Sequence, residues 1–427
     1  MKIGYLMQAG VPDVRQDPFS GPSVHVRQVI TELEKLGHTV RLLACLDGRR
    51  IWRSDDLVNF DPVPLPLLDR GPFRWFERVA RRFQYELRLP YLALFDGVRF
   101  AYACRKELAG YDLFYERMGW MGYGGVIAAR WLGIPHILEI NGEYLRELKM
   151  RGMSPKGLQR WFSVRLIKAS IKLTTHIVAA GDGLRNATID VWHADPAKVA
   201  VVENGTQLVS LLGRTQLRSF QSRGDKDVPT LVFLGGFDPW QGVTTLIRAT
   251  ARAIGLGMPL KLLLIGSGPG LTAAQELVRD LGIGDQVTFT GQLGPQDVAA
   301  YLARADIGLS PYCGRTEYSG LKLFDYKAAG LATIASGVDG EPRVLEHGRT
   351  GWIVPPCDED ALYQAIVKLC SDPDLTRQLG RQARLEAEQQ HGWNKTAEQL
   401  SELFTCVART YYGARFDQRS DQSIQLT

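Results

Sequence analysis

Glu317 and Asp325 stand eight positions apart in the run E-Y-S-G-L-K-L-F-D-Y-K-A-A-G, residues 317–330. Gly320, Lys322 and two aromatic residues, Tyr318 and Phe324, lie between them. The run follows an apolar stretch at 306–311 that reads as a buried strand, and it leads into small residues that suit a helix. A strand, a Gly-containing loop and a helix start are where α/β folds hold anions, because backbone N–H groups and the helix dipole point there. Carboxylates repel a phosphate but accept hydrogen bonds from sugar hydroxyls. The loop therefore carries groups for both halves of a nucleotide-sugar.

Other segments place polar groups just after strands. Residues 231–242 read L-V-F-L-G-G-F-D-P-W-Q-G, a strand running into Gly235 and Gly236 with a helix beginning near Gly242. Such glycines admit a phosphate close to the backbone, or serve only the turn. Ser20-Gly21-Pro22-Ser23 follows the first strand, and Ser23 is placed to cap a helix running through Val26, Val29 and Leu33. His25 lies in its first turn. Asn141 and Glu143 follow another strand in L-E-I-N-G-E. The Asn141 amide can orient a hydroxyl but is no base, so Glu143 is the nearest titratable group. Tyr115-Glu116-Arg117 and Val202-Glu203-Asn204-Gly205 end two further strands, the latter with a bare turn signal.

Two patterns read as something plainer than they look. Gly266-Ser267-Gly268-Pro269-Gly270 lacks the G-x-G-x-x-G spacing of a dinucleotide loop, its third glycine coming one residue early. Asp358-Glu359-Asp360 is formally a metal-binding D-x-D, but it opens a helix, where acids cap the end and favour the dipole.

The 317–330 run resembles the E-x7-E element of GT4-family retaining glycosyltransferases, in its form S-P-L-K-L-F-E-Y-M-A-A-G. Here it reads Ser319-Gly320-Leu321-Lys322-Leu323-Phe324-Asp325-Tyr326-Lys327-Ala328-Ala329-Gly330. Gly320 replaces the usual Pro, and Asp325, one methylene shorter, replaces Glu. The likeness covers residues 3 to about 412. It implies an α/β chain of GT-B fold, two doubly wound Rossmann-like domains facing across a cleft. By the same resemblance the second domain binds the donor, with Glu317 on the transferred sugar and Asp325 on the ribose. Lys322, with Ser319, Gly320, Leu321, Gly235 and Gly236, would hold the diphosphate. A basic residue is common in the family where Gln241 stands here, and Arg is frequent at Gly236. Asn141 occupies the place of a His or Asp near the reacting sugar, and Asn141 and Glu143 join Glu317 as catalytic candidates. Gly21, His25 and Asn204 would belong to an acceptor or phosphate loop.

The activity so implied is retaining transfer to a hydroxyl of a glycan, glycolipid or small molecule, with no metal or cofactor. Polysaccharide or glycolipid assembly is the family-level setting. Two alternatives stay open: a GT-B nucleotide-sugar epimerase, and a non-catalytic partner subunit motivated by the departures at Gly236, Gln241 and Asp325.

Elements that position these groups are legible as alternating strands and helices, the pattern of parallel α/β architecture. Strands are expected near 3–7, 39–44, 113–116, 136–140, 177–180 and 199–202, then 231–234, 261–265, 286–290, 307–310, 333–335 and 352–354. The polar, poorly periodic stretch 208–229 separates the two sets. The division expected is an acceptor domain at 1–207, a linker at 208–229 and a donor domain at 230–393. A helix at 394–412 crosses back, and a disordered tail covers 413–427.

A chain of 427 residues, 45% hydrophobic and 23% charged, has the composition of an ordinary globular protein of two or three domains. No apolar run reaches the ~18 residues of a spanning helix, and the N-terminus reads as a strand rather than a signal peptide. Six scattered cysteines without a C-x-x-C pair indicate free thiols in a reducing, cytoplasmic compartment. The seven histidines offer no local metal-ligand spacing.

Net charge is only +5, but residues 70–88 hold six Arg, two Glu and five aromatics, and 146–172 hold eight Lys or Arg and one acid. Phe73, Phe76, Val79, Phe83 and Leu87 recur at helical spacing. That suits peripheral contact with an anionic membrane, at its inner face, or equally an Arg-rich outer face of a domain helix. Neither charge nor motif supports nucleic acid as a partner.

Overall fold

The computed structural model describes residues 1–9, 13–15, 21–46, 50–69, 71–86, 94–150, 154–212, 228–313, 320–337 and 342–424. The chain forms two compact units. One contains Met1–Gln16, Pro22–Val202 and Ala397–Thr427, and Glu203–Thr396 forms the body of the other.

The first unit is built on an eight-stranded sheet: β1 (Lys2–Met7), β2 (Thr39–Leu46), β3 (Arg50–Ser54), β4 (Asp61–Pro62), β5 (Leu113–Arg117), β6 (His136–Ile140), β7 (His176–Ala179) and β8 (Val199–Val201). Its order is β4-β3-β2-β1-β5-β6-β7-β8. Strands β1, β2 and β5–β8 run parallel, while β3 pairs antiparallel with β2 and with β4. Helices cross between the parallel strands, so those strands are apolar on both faces; in β1 only Lys2 is exposed. The β3–β4 hairpin is absent from the sequence-based expectation. R-I-W-R-S is half polar, and its outer partner, the edge strand β4, is two residues long.

Leu6, Leu43, Phe100, Cys104, Phe114 and Ala128 make one side of this core. The helix Trp393–Ile424 supplies Phe404, fully buried, whose ring lies 5.0 Å from that of Tyr115. His38 Nε2 meets Ser401 Oγ at 2.8 Å, and the Tyr412 hydroxyl donates to the Asp112 carbonyl at 2.8 Å. The helix runs on through Ile424, correcting the tail expected from 413, since no proline or second glycine follows Gly413.

The second unit has six strands: β9 (Thr230–Leu234), β10 (Lys261–Ile265), β11 (Val287–Gly291), β12 (Ile307–Ser310), β13 (Ala332–Ser336) and β14 (Trp352–Val354). All pair parallel, in the order β11-β10-β9-β12-β13-β14. The order reverses between β9 and β12, and the crevice beyond the carboxyl ends at such a reversal is where open α/β sheets bind ligands. The 208–229 linker needs correcting at its start. Leu208–Leu211 is a helical turn whose Leu208, with Leu212, is buried in the core formed by Val232, Leu263 and Phe324.

Candidate active site

The carboxyl ends of β9 and β12 lead into Gly235–Gln241 and into the helix Leu321–Ala328. Tyr326 fixes that helix to both strands. Its buried hydroxyl accepts from the Leu234 amide at 2.7 Å and donates to the Leu309 carbonyl at 3.1 Å. Gly308 makes room for the ring, since a Cβ there would meet Tyr326 carbons at 2.5 Å.

Gly320 caps the helix with φ 56°, and its carbonyl accepts from the Leu323 and Phe324 amides at 2.8 and 3.1 Å. Lys322, in the first turn, is buried to within 6%. Its ammonium lies 4.6 Å from the centre of the Phe233 ring and donates to the side-chain oxygen of Gln241. A Cβ on Gly235 would come within 3.0 Å of it. Expected donor-site residues Gly235, Gln241, Gly320, Leu321 and Lys322 thus meet at the strand reversal. Gln241, read from sequence as a missing cation, orients the cation that is present. Glu317 and Ser319 lie outside the described residues.

The glycines around this site differ in what they tolerate. Gly242 has φ 68°, and a Cβ there would overlap the Pro311 carbonyl oxygen, so this glycine lets the β9 and β12 loops touch. Gly236 has ordinary backbone; a Cβ there would meet Asp238 Oδ2 at 3.1 Å and nothing else closer than 3.9 Å. The 266–270 run is used for packing. The Phe237 amide donates to the Ser267 carbonyl at 3.1 Å, and the Gly270 amide to the Phe237 carbonyl at 2.8 Å.

Asp325 stands one turn beyond Lys322. Its Oδ1 accepts from the Thr206 hydroxyl at 2.6 Å, and Thr206 Oγ1 accepts from the Leu208 amide at 3.0 Å. Burial pushes the Asp325 carboxyl up to about 6, and the Thr206 hydrogen bond pulls the other way. Asn204, beside Thr206 in sequence, is buried. Sequence reasoning missed Thr206, whose partner is 119 residues away.

The first unit holds a second polar cluster at the carboxyl ends of β1, β5 and β6. Glu139, 3% exposed, accepts from His25 Nε2 at 2.8 Å and from the Tyr115 hydroxyl at 2.6 Å, with Arg117 at 3.6 Å and the Tyr5 hydroxyl at 3.4 Å. Burial alone would raise its carboxyl. The charges of His25 and Arg117 and the Tyr115 hydrogen bond outweigh that and hold it at about 2. His25 is therefore an anchor of Glu139, and Tyr115 and Arg117 serve the same carboxylate. Glu116, on the other face, pairs with His136 Nε2 at 2.8 Å.

Asn141 Nδ2 is buried without a hydrogen-bond partner among the described residues. Glu143 lies 3.6 Å from Arg146. Gly21 is the first residue of the helix Gly21–Lys35, and Ser23 lies inside that helix rather than capping it, donating to the Asp13 carbonyl at 2.9 Å.

Two further sequence readings meet the structure here. Asp358 caps Glu359–Ser371, accepting from the Ala361 amide at 2.8 Å. Among the described residues no group of three His, Cys, Asp or Glu side chains could hold a metal. The free-thiol expectation fails for Cys313 and Cys357. They form a disulfide with Cα atoms 4.8 Å apart, joining residues 44 positions apart that no local spacing relates.

Two parallel α/β units are the architecture of the GT-B glycosyltransferases, and solved structures agree. A sucrose-phosphate synthase from Thermosynechococcus elongatus superimposes with a TM-score of 0.69 at 22% identity, over 97% of this chain and 99% of that one. Residues 19–209 match the family described as Glycosyltransferase Family 4, and residues 215–386 match Glycosyl transferases group 1. The chain belongs to these group 1, GT4-type glycosyltransferases and is an enzyme.

Among relatives, a D-inositol 3-phosphate glycosyltransferase of Rhodococcus erythropolis is 26% identical, over 95% of this chain and 90% of its own length. A GDP-mannose-dependent alpha-(1-6)-phosphatidylinositol monomannoside mannosyltransferase of Mycobacterium tuberculosis is 29% identical, over 44% of this chain and 50% of its own. No described helix is long and apolar enough to cross a membrane.

Proposed function

We propose that the chain is a retaining, metal-independent glycosyltransferase. It moves a sugar from a nucleoside-diphosphate donor to a hydroxyl of a glycan or lipid-linked acceptor, at an anionic membrane surface. The observation that carries this reading is Lys322, buried beside Gly235 and the N-terminus of Leu321–Ala328 at the strand reversal. The leaving diphosphate gains charge in the transition state, and a fixed ammonium with backbone amides stabilises that charge without a metal. Glu317 would bind the transferred sugar. The first unit, with Asn141 and Glu143, would hold the acceptor. Relatives named for inositol phosphate and phosphatidylinositol mannoside acceptors favour a phosphorylated polyol or its lipid form.

The test is a thermal-shift titration with UDP, GDP, ADP and their sugar conjugates in the presence of EDTA. Ligand at a hundred times its Kd stabilises by about 2.7 kcal/mol. A shift with one nucleotide family names the base, and no shift with any of them sinks the donor-site assignment. Donor consumed without an acceptor would instead mark the epimerase.

Asp325 gives this reading a pH signature. Its folded carboxyl, at about 6, lies above the ordinary 3.8. The protonated form's contribution to stability is full below 3.8 and is lost as pH rises through about 6. A ribose hydroxyl donating to Asp325 needs the carboxylate, so nucleotide binding expels the proton. Affinity should therefore rise as pH rises through about 6, beyond the change due to the nucleotide's own phosphate. Calorimetric titrations of wild type and Asp325→Asn isolate this part. The same pH profile for both would remove Asp325 from the ribose site.

A further inference from the structure

The helix Pro72–Glu86 carries apolar side chains on the side facing away from its own unit. Trp75, Phe76, Val79 and Phe83 are 64%, 58%, 42% and 64% exposed. At 100° per residue these four fall on one strip of the helix. Arg74, Arg78 and Arg82 follow at four-residue spacing along its flank, all exposed.

The opposite face is fastened to the unit. Glu77, 6% exposed, pairs with Arg81 at 2.8 Å and with Arg99 at 2.7 Å, and Arg81 reaches Asp96 at 3.1 Å. The Phe73 ring packs edge-on against Phe95, with centroids 5.9 Å apart. The outward side chains are therefore not a loose helix awaiting a place in the core. Phe76 keeps one edge on Phe95, with centroids 6.0 Å apart, yet stays 58% exposed, and a row of large exposed aromatics bordered by cations is the kind of patch that marks an interaction surface.

We infer that Pro72–Glu86 is the element that enters the bilayer interface, its aromatic strip among the acyl-chain ends and its arginine row on anionic headgroups. This rests on the membrane reading above and assigns it to one surface. A bilayer rather than a protein fits, because three exposed arginines run along the flank of the strip, while the acids of the helix are Glu77, turned to the unit, and Glu86, at its last position. Among the described residues Arg82 meets Glu86 at 3.9 Å, and Arg74 donates to the Asp69 carbonyl at 3.2 Å. Trp and Phe suit the headgroup–acyl boundary, and each arginine near an anionic surface adds about fivefold to binding.

The experiment is co-flotation of the full chain with phosphatidylcholine vesicles and with vesicles that also contain phosphatidylglycerol. Wild type should float with the anionic vesicles and be released by salt. Arg74→Gln/Arg78→Gln/Arg82→Gln should lower the vesicle partition coefficient about a hundredfold, by the same per-arginine factor. Trp75→Ala/Phe76→Ala/Phe83→Ala should lose binding even at low salt. Leu256→Ala, an exposed apolar side chain of the other unit, should bind as wild type does.

Nucleotide-induced thermal shifts should be unchanged in all of these variants, which separates the surface from the donor site and reports folding. Wild type that floats while both triple variants float equally well overturns the helix assignment and leaves the membrane reading. Wild type that fails to float at low salt overturns both. Loss of self-association in the aromatic variant, with no effect on vesicles, would make the strip a protein contact and overturn the inference.

Discussion

Lys322→Met lowers turnover on the nucleotide-sugar donor by about 10²–10³-fold while the chain stays folded, the scale of losing one preorganised donor to a developing oxyanion. The side chain is buried, lies over Phe233 and is aimed by Gln241. Those neighbours orient the ammonium without neutralising it, and burial raises what a charge contributes there. Methionine keeps the unbranched stem against Phe233 and removes only the charge and its protons. The loss should appear in affinity for nucleoside diphosphate and in kcat, and should leave nucleoside affinity near wild type. A methionine variant with most of the wild-type rate would mean that the diphosphate sits elsewhere.

Glu139→Gln destabilises the first unit by about 3 kcal/mol at neutral pH, the scale of breaking a buried ion pair. The variant leaves His25 and Arg117 without their shared carboxylate. The sign with pH follows from the depressed carboxyl. Its contribution is full above the ordinary 4.5 and is lost as pH falls towards about 2. The gap between wild-type and variant urea midpoints should therefore be widest above 4.5 and shrink below it. Equal midpoints at neutral pH would show that the cluster contributes nothing to stability. An unaltered midpoint with lost activity would instead make Glu139 part of the chemistry.

Much of the scaffold was readable because parallel strands are continuous apolar runs: 136–140, 261–265, 307–310 and 352–354 match the observed strands end for end. The β3–β4 hairpin was not, since Asp61-Pro62 has no strand signature and its pairing is supplied by β3. The site was readable where its residues share one segment, as Gly320 and Lys322 do. It was not where partners meet across the fold. Gln241 looked like a lost cation until its 81-residue separation from Lys322 closed. Lys327 carries no local sign of burial, yet it is wholly buried, bound to Glu386 and, at 2.7 Å, to the Val344 carbonyl. The pairing of Cys313 with Cys357 had no local trace at all.

The contrast between Gly242 and Gly236 bears on how this enzyme can change. At Gly242 both the left-handed backbone and the Pro311 carbonyl exclude a side chain, so the position is closed to variation. At Gly236 the backbone is ordinary, and only the adaptable Asp238 carboxylate stands near. A cation can be introduced there by a single codon change, with Asp238 beside it as a counter-charge. At the proposed donor site, affinity would thus be adjustable in small inherited steps at one glycine, while Gly242 preserves the contact between the two loops.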